Sequence, residues 1–306
     1  MFNKALILPG GGGWGRVQQS ALYTLEKAGV LKGVDVIFSN SAGTLNACIY
    51  LKGLLTGEGV ELGKRVWDSI KDNKQIIKPD FVPIAEHPWL HPLDISGLAT
   101  GALWGRGAFS TDPLEALLRE HLGDTNTNDV WGKLGIYYRA LVYSNAEGRG
   151  RQVAGMLWHM AKASSAIEVA FPAHLGLSDG GPVSNNPVEL AIELGVKQVA
   201  VVYCGSEPPP PNGSALWLDD STPDPNLSAK QVAGSLLQNL TMINEDHAAR
   251  AMQRAEAAGI QIVECYPRQQ VPGSILEFRD LDNRRWDLGQ GAADMAIKDA
   301  KTLGWI

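Results

Sequence analysis

Three short stretches of this chain carry residue types that could perform nucleophilic chemistry together. The run Gly10-Gly11-Gly12-Gly13-Trp14-Gly15 follows the apolar Ala5-Leu6-Ile7-Leu8 and opens a segment, Val17 to Gly29, whose apolar residues recur at helical spacing. A glycine turn at a helix start leaves backbone N–H groups pointing outward, and glycine lets other atoms come close to them. Such a turn suits a developing negative charge. The run Ser39-Asn40-Ser41-Ala42-Gly43 repeats the arrangement after Val34-Asp35-Val36-Ile37-Phe38 and before Thr44 to Leu55. A serine between a strand and a helix, flanked by small residues such as Ala42 and Gly43, is forced into a sharp turn that exposes its hydroxyl. That serine needs a base, and Ser178-Asp179-Gly180-Gly181-Pro182, far downstream, offers a carboxylate in Asp179.

Each stretch alone has a plainer reading. The glycine run could be a tight strand-to-helix turn, Ser41 a helix N-cap and Asp179 an Asx-turn residue. Other chemistries also compete. Gly10, Gly12 and Gly15 fit GxGxxG, the dinucleotide fingerprint, with Asp35 about 20 residues further on. That fingerprint wants its acid at the end of the second strand, whereas Asp35 opens the strand and Ser39 to Gly43 occupy its end. Tyr23 and Lys27 give a Tyr-x-x-x-Lys spacing, but inside the first helix. A Ser-His-Asp triad would need a histidine after Asp179, and only His247 qualifies, in a helical context that suits a solvated face. His87, His91, His121, His159 and His174 show no metal-ligand spacing, so no metal or cofactor is expected. His174 could line the site, although a turn role suits it better.

Taken in order, the three stretches resemble the motifs of the patatin-like phospholipases: a GGGxxG loop, a GxSxG elbow and an Asp-Gly-Gly turn. Leu22 to Val30, Gly107 to Leu114 and Ala163 to Ile167 are also similar to that family, so the likeness covers about residues 5 to 192. It implies a three-layer α/β sandwich with a mainly parallel central sheet. The implied activity is a serine acyl hydrolase that cleaves fatty-acyl esters of phospholipids or lysophospholipids through an acyl-enzyme. Ser41 would be the nucleophile, Asp179 the base, and the N–H groups of Gly10, Gly11 and Gly12 the oxyanion hole. Gly13, Gly15, Gly43, Gly180 and Gly181 complete the motifs. An unperturbed Asp, near ~3.9, is a poorer base than an imidazole near ~6.5. Direct contact with Ser41 Oγ, within about 2.6 to 3.2 Å and in a site dry enough to raise the carboxylate's basicity, is expected to compensate.

Two positions depart from the family pattern. Ser39 stands where the elbow usually begins with Gly, a small side chain expected to be tolerated at some strain. Trp14 stands where the loop usually carries Lys or Arg, with Arg16 two residues on. Both Trp14 and Arg16 are expected to line the substrate, and Trp14 to shift preference from anionic headgroups toward neutral or single-chain acyl esters. These departures keep open a catalytically silent lipid- or protein-binding fold, and a transacylase shares the same acyl-enzyme.

The 306 residues, 44% hydrophobic and 20% charged, suffice for one large α/β domain over 1–306, with the motif-bearing core at about 5–192 and a continuation over 193–306. A net charge of -6 argues against nucleic acid and anionic membrane as general partners, leaving a lipid or acyl-ester substrate with transient membrane-surface contact. Cys48, Cys204 and Cys265 read as reduced core thiols. With no signal-like segment, the expected compartment is the cytoplasm. Helices are expected at Glu61 to Lys74, from Asp112-Pro113 with Asp112 as cap, at Ser228 to Gly259 and at Ala292 to Leu303. Strands are expected at Ile136 to Tyr143, Val199 to Tyr203 and Ile260 to Cys265. Residues 82 to 109 read as a lid or as a cap that completes the core, and Pro208 to Asn226 as an exposed loop.

Overall fold

Short apolar runs with β-branched and large side chains form the centre of the molecule, and the segments between them coil into helices. The computed structural model describes residues 2–79, 109–167, 170–205, 248–273, 276–279 and 283–306. In chain order they form β1 (Lys4–Leu8), α1 (Gly15–Lys27), β2 (Val36–Asn40), α2 (Ala42–Thr56), α3 (Val60–Ser69), β3 (Lys78–Pro79), β4 (Phe109–Ser110), α4 (Asp112–Leu122) and α5 (Thr127–Leu134). There follow β5 (Tyr137–Ser144), β6 (Arg149–Val153), α6 (Leu157–Ser164), β7 (Leu177–Asp179), α7 (Val188–Glu193) and β8 (Gln198–Val202). The last elements are a helix α8 over 248–257, β9 (Gln261–Cys265) and α9 (Arg284–Thr302).

Seven strands make the main sheet, in the order β6-β5-β2-β1-β8-β9, with β7 paired to β5 off this path. The pairs of β1 with β2 and β8, of β2 with β5 and of β8 with β9 are parallel; β6 and β7 run antiparallel to β5. Because strand side chains alternate, each central strand supplies two cores. Leu6, Leu8 and Ile37 face a large cluster built with α1, α2, α3, α6 and α9, while Ala5, Ile7, Val36 and Phe38 face a smaller one built with α7 and α8. Helix, sheet and helix thus form three layers, as expected.

Element ends depart from the sequence reading in instructive ways. Helix α3 stops at Ser69, and a separate 3-10 turn follows at Asn73–Gln75, capped by Asp72. Thr111, not Asp112, is the N-cap of α4, with Asp112 and Pro113 already helical. The closing helix starts at Arg284, eight residues before Ala292, because its small face begins earlier. The antiparallel strands β6 and β7 lack apolar alternation and give no strand signal in sequence. The proposed lid at 82–109 lies outside the described residues apart from Phe109. So do the loop around Pro208, His87, His91, His247 and the start of the helix expected from Ser228.

The contact between α1 and α9 depends on small residues. Gly289, Ala292, Ala293, Ala296 and Ala300 are buried, and a Cβ added to Gly289 would lie 2.2 Å from Val17 O and 2.6 Å from Ser20 Cβ. Ser20 Oγ donates to Trp286 O at 2.5 Å, closing the same seam. All three cysteines are buried with free thiols; burial pushes the Cys48 thiol up to about 12. No helix among the described residues is long and apolar enough to cross a membrane. Gly289→Ala is therefore expected to destabilise the protein by about 1–3 kcal/mol, because a helix backbone must retreat to admit one methyl group. Urea denaturation of the two proteins measures it.

Candidate active site

The site lies where three chain turns meet at the carboxyl ends of the parallel strands, the usual ligand position of open α/β sheets. Ser41 follows β2 directly and precedes α2, with φ 50 and ψ -126, one of three positive-φ residues other than glycine among those described. A residue with a side chain adopts such a backbone only when its surroundings over-determine it. Here the surroundings are close-packed: a Cβ on Gly43 would sit 1.9 Å from Leu8 O, so only glycine lets α2 start against the end of β1. Ser41 is buried at 7% exposure, and its side chain makes no capping bond to α2. The N-cap reading thus explains its position but not its hydroxyl.

Asp179 reaches the same place through strand register. On one edge of β5, β6 pairs Ala140 to Ser144, so β2 and β7 share the other edge. Strand β2 ends at Asn40 opposite Leu141; β7, running the opposite way, ends at Asp179 opposite Val142. The two strands meet end to end on consecutive positions of β5. Asn40 fills the junction: its Nδ2 donates to Asn185 Oδ1 at 3.3 Å, and a Cβ on Gly180 would meet Asn40 Oδ1 at 2.7 Å. The Gly181 N–H donates to Asp179 Oδ1 at 2.8 Å, an Asx-type turn that also orients the carboxylate. Asp179 is 4% exposed.

The glycine loop completes the constellation. A Cβ on Gly10 would lie 2.8 Å from Ser41 Cβ and 2.7 Å from Asn185 Oδ1, so the loop runs directly against the serine turn. Its carbonyls are held from behind. Gln18 Nε2 donates to Pro9 O at 3.0 Å, Trp14 N to Gly11 O at 3.1 Å, Arg285 to Gly13 O at 3.1 Å and Asn46 Nδ2 to Gly15 O at 2.8 Å. In a trans peptide the N–H points opposite to the C=O, so anchored carbonyls aim the following amides the other way. Gly12, with φ +54, opens the 3-10 turn Gly12–Trp14 that makes this reversal.

Trp14 and Arg16 are placed differently from one another. Trp14 Nε1 donates to Gly273 O at 3.1 Å and its ring packs against Gly205, so the indole is half-buried against the later part of the chain. The Arg16 guanidinium is buried on α3: it donates to Trp67 O at 2.7 Å and to Asp68 Oδ1 at 2.8 Å. That contact ties α1 to α3. Ser39, expected as a strained small residue, instead has its buried Oγ within 3.0 Å of both Thr44 Oγ1 and Tyr138 OH. Tyr138 gave no functional signal in sequence, since a polar residue inside an apolar strand announces no partner, and nothing near Asn40, Ser164 or Asn185 revealed the groups each would meet.

A second polar cluster flanks the aspartate turn. His174 opens a two-residue hairpin in which its N–H donates to Leu177 O at 2.8 Å, the turn role favoured from sequence. Leu175 at the tip has φ 55 and is 72% exposed. His174 Nε2 lies 2.7 Å from His159 Nδ1; His174 stacks on His159, which stacks in turn on Trp158, whose ring also meets the Arg119 guanidinium. Burial, then the nearby Lys162 and His159, lowers the His174 pKa from 6.5 to about 4; Glu115 opposes this.

A family model described as patatin-like phospholipase matches residues 6–192. Patatin-like phospholipase domain-containing protein 6 of mouse and of human is 25% identical over 210 residues, 66% of this chain. The chain spans only 14% and 13% of the length of those relatives. Among solved structures, VipD from Legionella pneumophila superposes with a TM-score of 0.42 and 11% identity, covering 99% of this chain and 67% of that one.

The histidine pair makes stability depend on pH. His174 has a lower pKa folded than unfolded, so between about 4 and 6.5 the unfolded state binds more protons. Stability is fully present above that window and is lost as pH falls through it. His174→Gln is expected to flatten the fall, read from urea midpoints between pH 4 and 7.

Proposed function

The chain belongs to the patatin-like phospholipase family, and from that premise we propose that it is a serine acyl hydrolase acting on fatty-acyl esters of phospholipids or lysophospholipids. The observation that carries the reading is the end-to-end meeting of β2 and β7 on β5, which holds the Ser41 turn and Asp179 at neighbouring positions with the Gly10 loop alongside. Ser41 Oγ attacks the ester carbonyl carbon and Asp179 accepts the hydroxyl proton. The carbonyl oxygen becomes an oxyanion held by the amides of Gly10, Gly11 and Gly12, with the amino end of α2 adding its partial positive charge. As the carbon–oxygen bond to the leaving group breaks, Asp179 returns the proton to that oxygen. The lysolipid or alcohol departs and leaves an acyl-Ser41 ester. Water then attacks with Asp179 taking its proton, and the fatty acid leaves as Ser41 regains a hydrogen.

The scheme uses no histidine: the carboxylate takes the proton from the hydroxyl itself, and both residues are nearly excluded from bulk water. Trp14, half-buried with its indole N–H committed to Gly273 O, supplies no cation at the loop. A phosphate headgroup therefore lacks a charge-assisted partner at that position, and neutral or single-chain esters are favoured. Arg16 is assigned no contact with substrate, since its guanidinium is bound to Trp67 and Asp68.

Hydrolysis of a short-chain chromogenic ester by the purified chain tests the proposal. Ser41→Ala and Asp179→Asn are each expected to lower kcat by about 10⁴-fold or more while leaving the melting temperature within a few degrees. Ester hydrolysis at the wild-type rate in Ser41→Ala would remove the serine from the mechanism. Trp14→Arg is expected to raise the rate on anionic phospholipids relative to neutral esters; equal headgroup preference in the two proteins would discard the specificity assignment.

A further inference from the structure

Beneath the Ser41 turn, four buried hydroxyls form a chain whose proton order follows from its end. Ser164 Oγ lies 2.7 Å from Leu141 O and donates to it, because a carbonyl can only accept. With its single proton engaged, Ser164 Oγ accepts from everything else near it: the Ser41 backbone N–H at 2.9 Å and Thr44 Oγ1 at 2.9 Å. The Thr44 proton is then engaged too, so Ser39 Oγ, 3.0 Å away, donates to Thr44. By the same rule Tyr138 OH, 3.0 Å from Ser39, donates to Ser39. Burial pushes the Tyr138 phenol far up and keeps it protonated, as this direction requires. The chain runs one way, from Tyr138 through Ser39, Thr44 and Ser164 to Leu141 O.

The accepting end of this wire touches the parts that must meet. Ser164 Oγ holds the N–H of the strained Ser41 residue. Leu141, the final acceptor, stands opposite Asn40 and next to Val142, the partner of Asp179. Two residues after Ser164, Ala166 O accepts the Asp179 N–H at 2.8 Å. We infer that Tyr138, Ser39, Thr44 and Ser164 are positioning residues which, through a directed hydroxyl chain whose last member, Ser164 Oγ, accepts the Ser41 N–H, fix the height of Ser41 Oγ relative to Asp179. Ser39, in the place of the usual glycine, is then a link of the wire and not a tolerated filler. None of the four touches substrate. The inference rests on the reading of Ser41 as the nucleophile.

Rates per titrated serine separate positioning from folding. Active sites are counted by stoichiometric labelling with an alkyl fluorophosphonate, which bonds the serine oxygen as fluoride leaves, and kcat is expressed per labelled site. Misfolded protein lowers the count; a misplaced serine lowers the rate of each counted site. Ser164→Ala is expected to lower kcat per site by about 10- to 100-fold with KM within about twofold of wild type. Thr44→Val, Ser39→Ala and Tyr138→Phe are expected to show losses that shrink in that order, and Thr44→Ser to restore most of what Thr44→Val loses. Should Ser164→Ala fail to fold, Thr44→Val and Tyr138→Phe decide alone. Wild-type kcat per site in Thr44→Val, at whatever site count, overturns the inference and leaves the nucleophile standing. Full activity in Ser41→Ala, or no labelling of the wild type, instead removes the nucleophile and this inference with it.

Discussion

One strand carries the architecture of the site. Strand β5 runs beyond the end of β2, and the free stretch of its edge is taken by β7, coming from the opposite direction. Backbone hydrogen bonds fix register to a single position, because a slip by one residue turns every side chain to the other face. The turn at residue 41 and the residue Asp179 thereby come off consecutive positions of one edge of β5, placed there by ladder geometry. The apolar faces of β1, β2 and β5 hold the register in turn, each burying residues on both sides of the sheet.

Close approach is the second constraint, and glycine and small polar residues satisfy it. Gly43 admits the end of β1, Gly10 admits the serine turn and Gly180 admits Asn40 and the Leu141 peptide. Where backbones come this near, polar groups are cut off from water and must find partners inside. That requirement accounts for the density of hydroxyl and amide side chains below the site: Gln18, Ser39, Asn46, Thr44 and Ser164 are all fully buried. Each answers a backbone or side-chain group that the tight turns would otherwise strand. The same packing holds Ser41 in a backbone conformation that costs energy in isolation, so the strain at this residue is carried by its neighbours.

Electrostatic features away from the centre are built on different terms. Arg16, the first cation after the glycine loop, is buried against Trp67 and Asp68 and ties α1 to α3. The Glu115–Lys162 pair, which draws the Glu115 pKa down to about 2, and the Arg119–Trp158 stack fasten α4 to α6. Through α6 these contacts support Ser164 at one end of the helix and the His159–His174 pair near its start. The polar scaffold of the site therefore extends well outside the three motifs.

The motif residues were legible because their chemistry is local. Glycine runs after apolar strands, a serine before two small residues and an Asx-type turn each declare a backbone conformation through the residues themselves, and apolar periodicity declares the strands and helices between them. Other features depended on contacts distant along the chain. Nothing near Arg16 reveals that Trp67 and Asp68 will take its guanidinium. Nothing near Ser39 reveals Tyr138, and three-residue β7 has too few side chains to show a period. Spacing along the sequence determined the α/β architecture and the order of serine turn and carboxylate turn. Only the tertiary structure decided that β2 and β7 meet on one edge of β5, and that the missing glycine at position 39 is answered by a hydroxyl chain, because hydrogen-bond register and buried polar pairing are settled between elements and not within them.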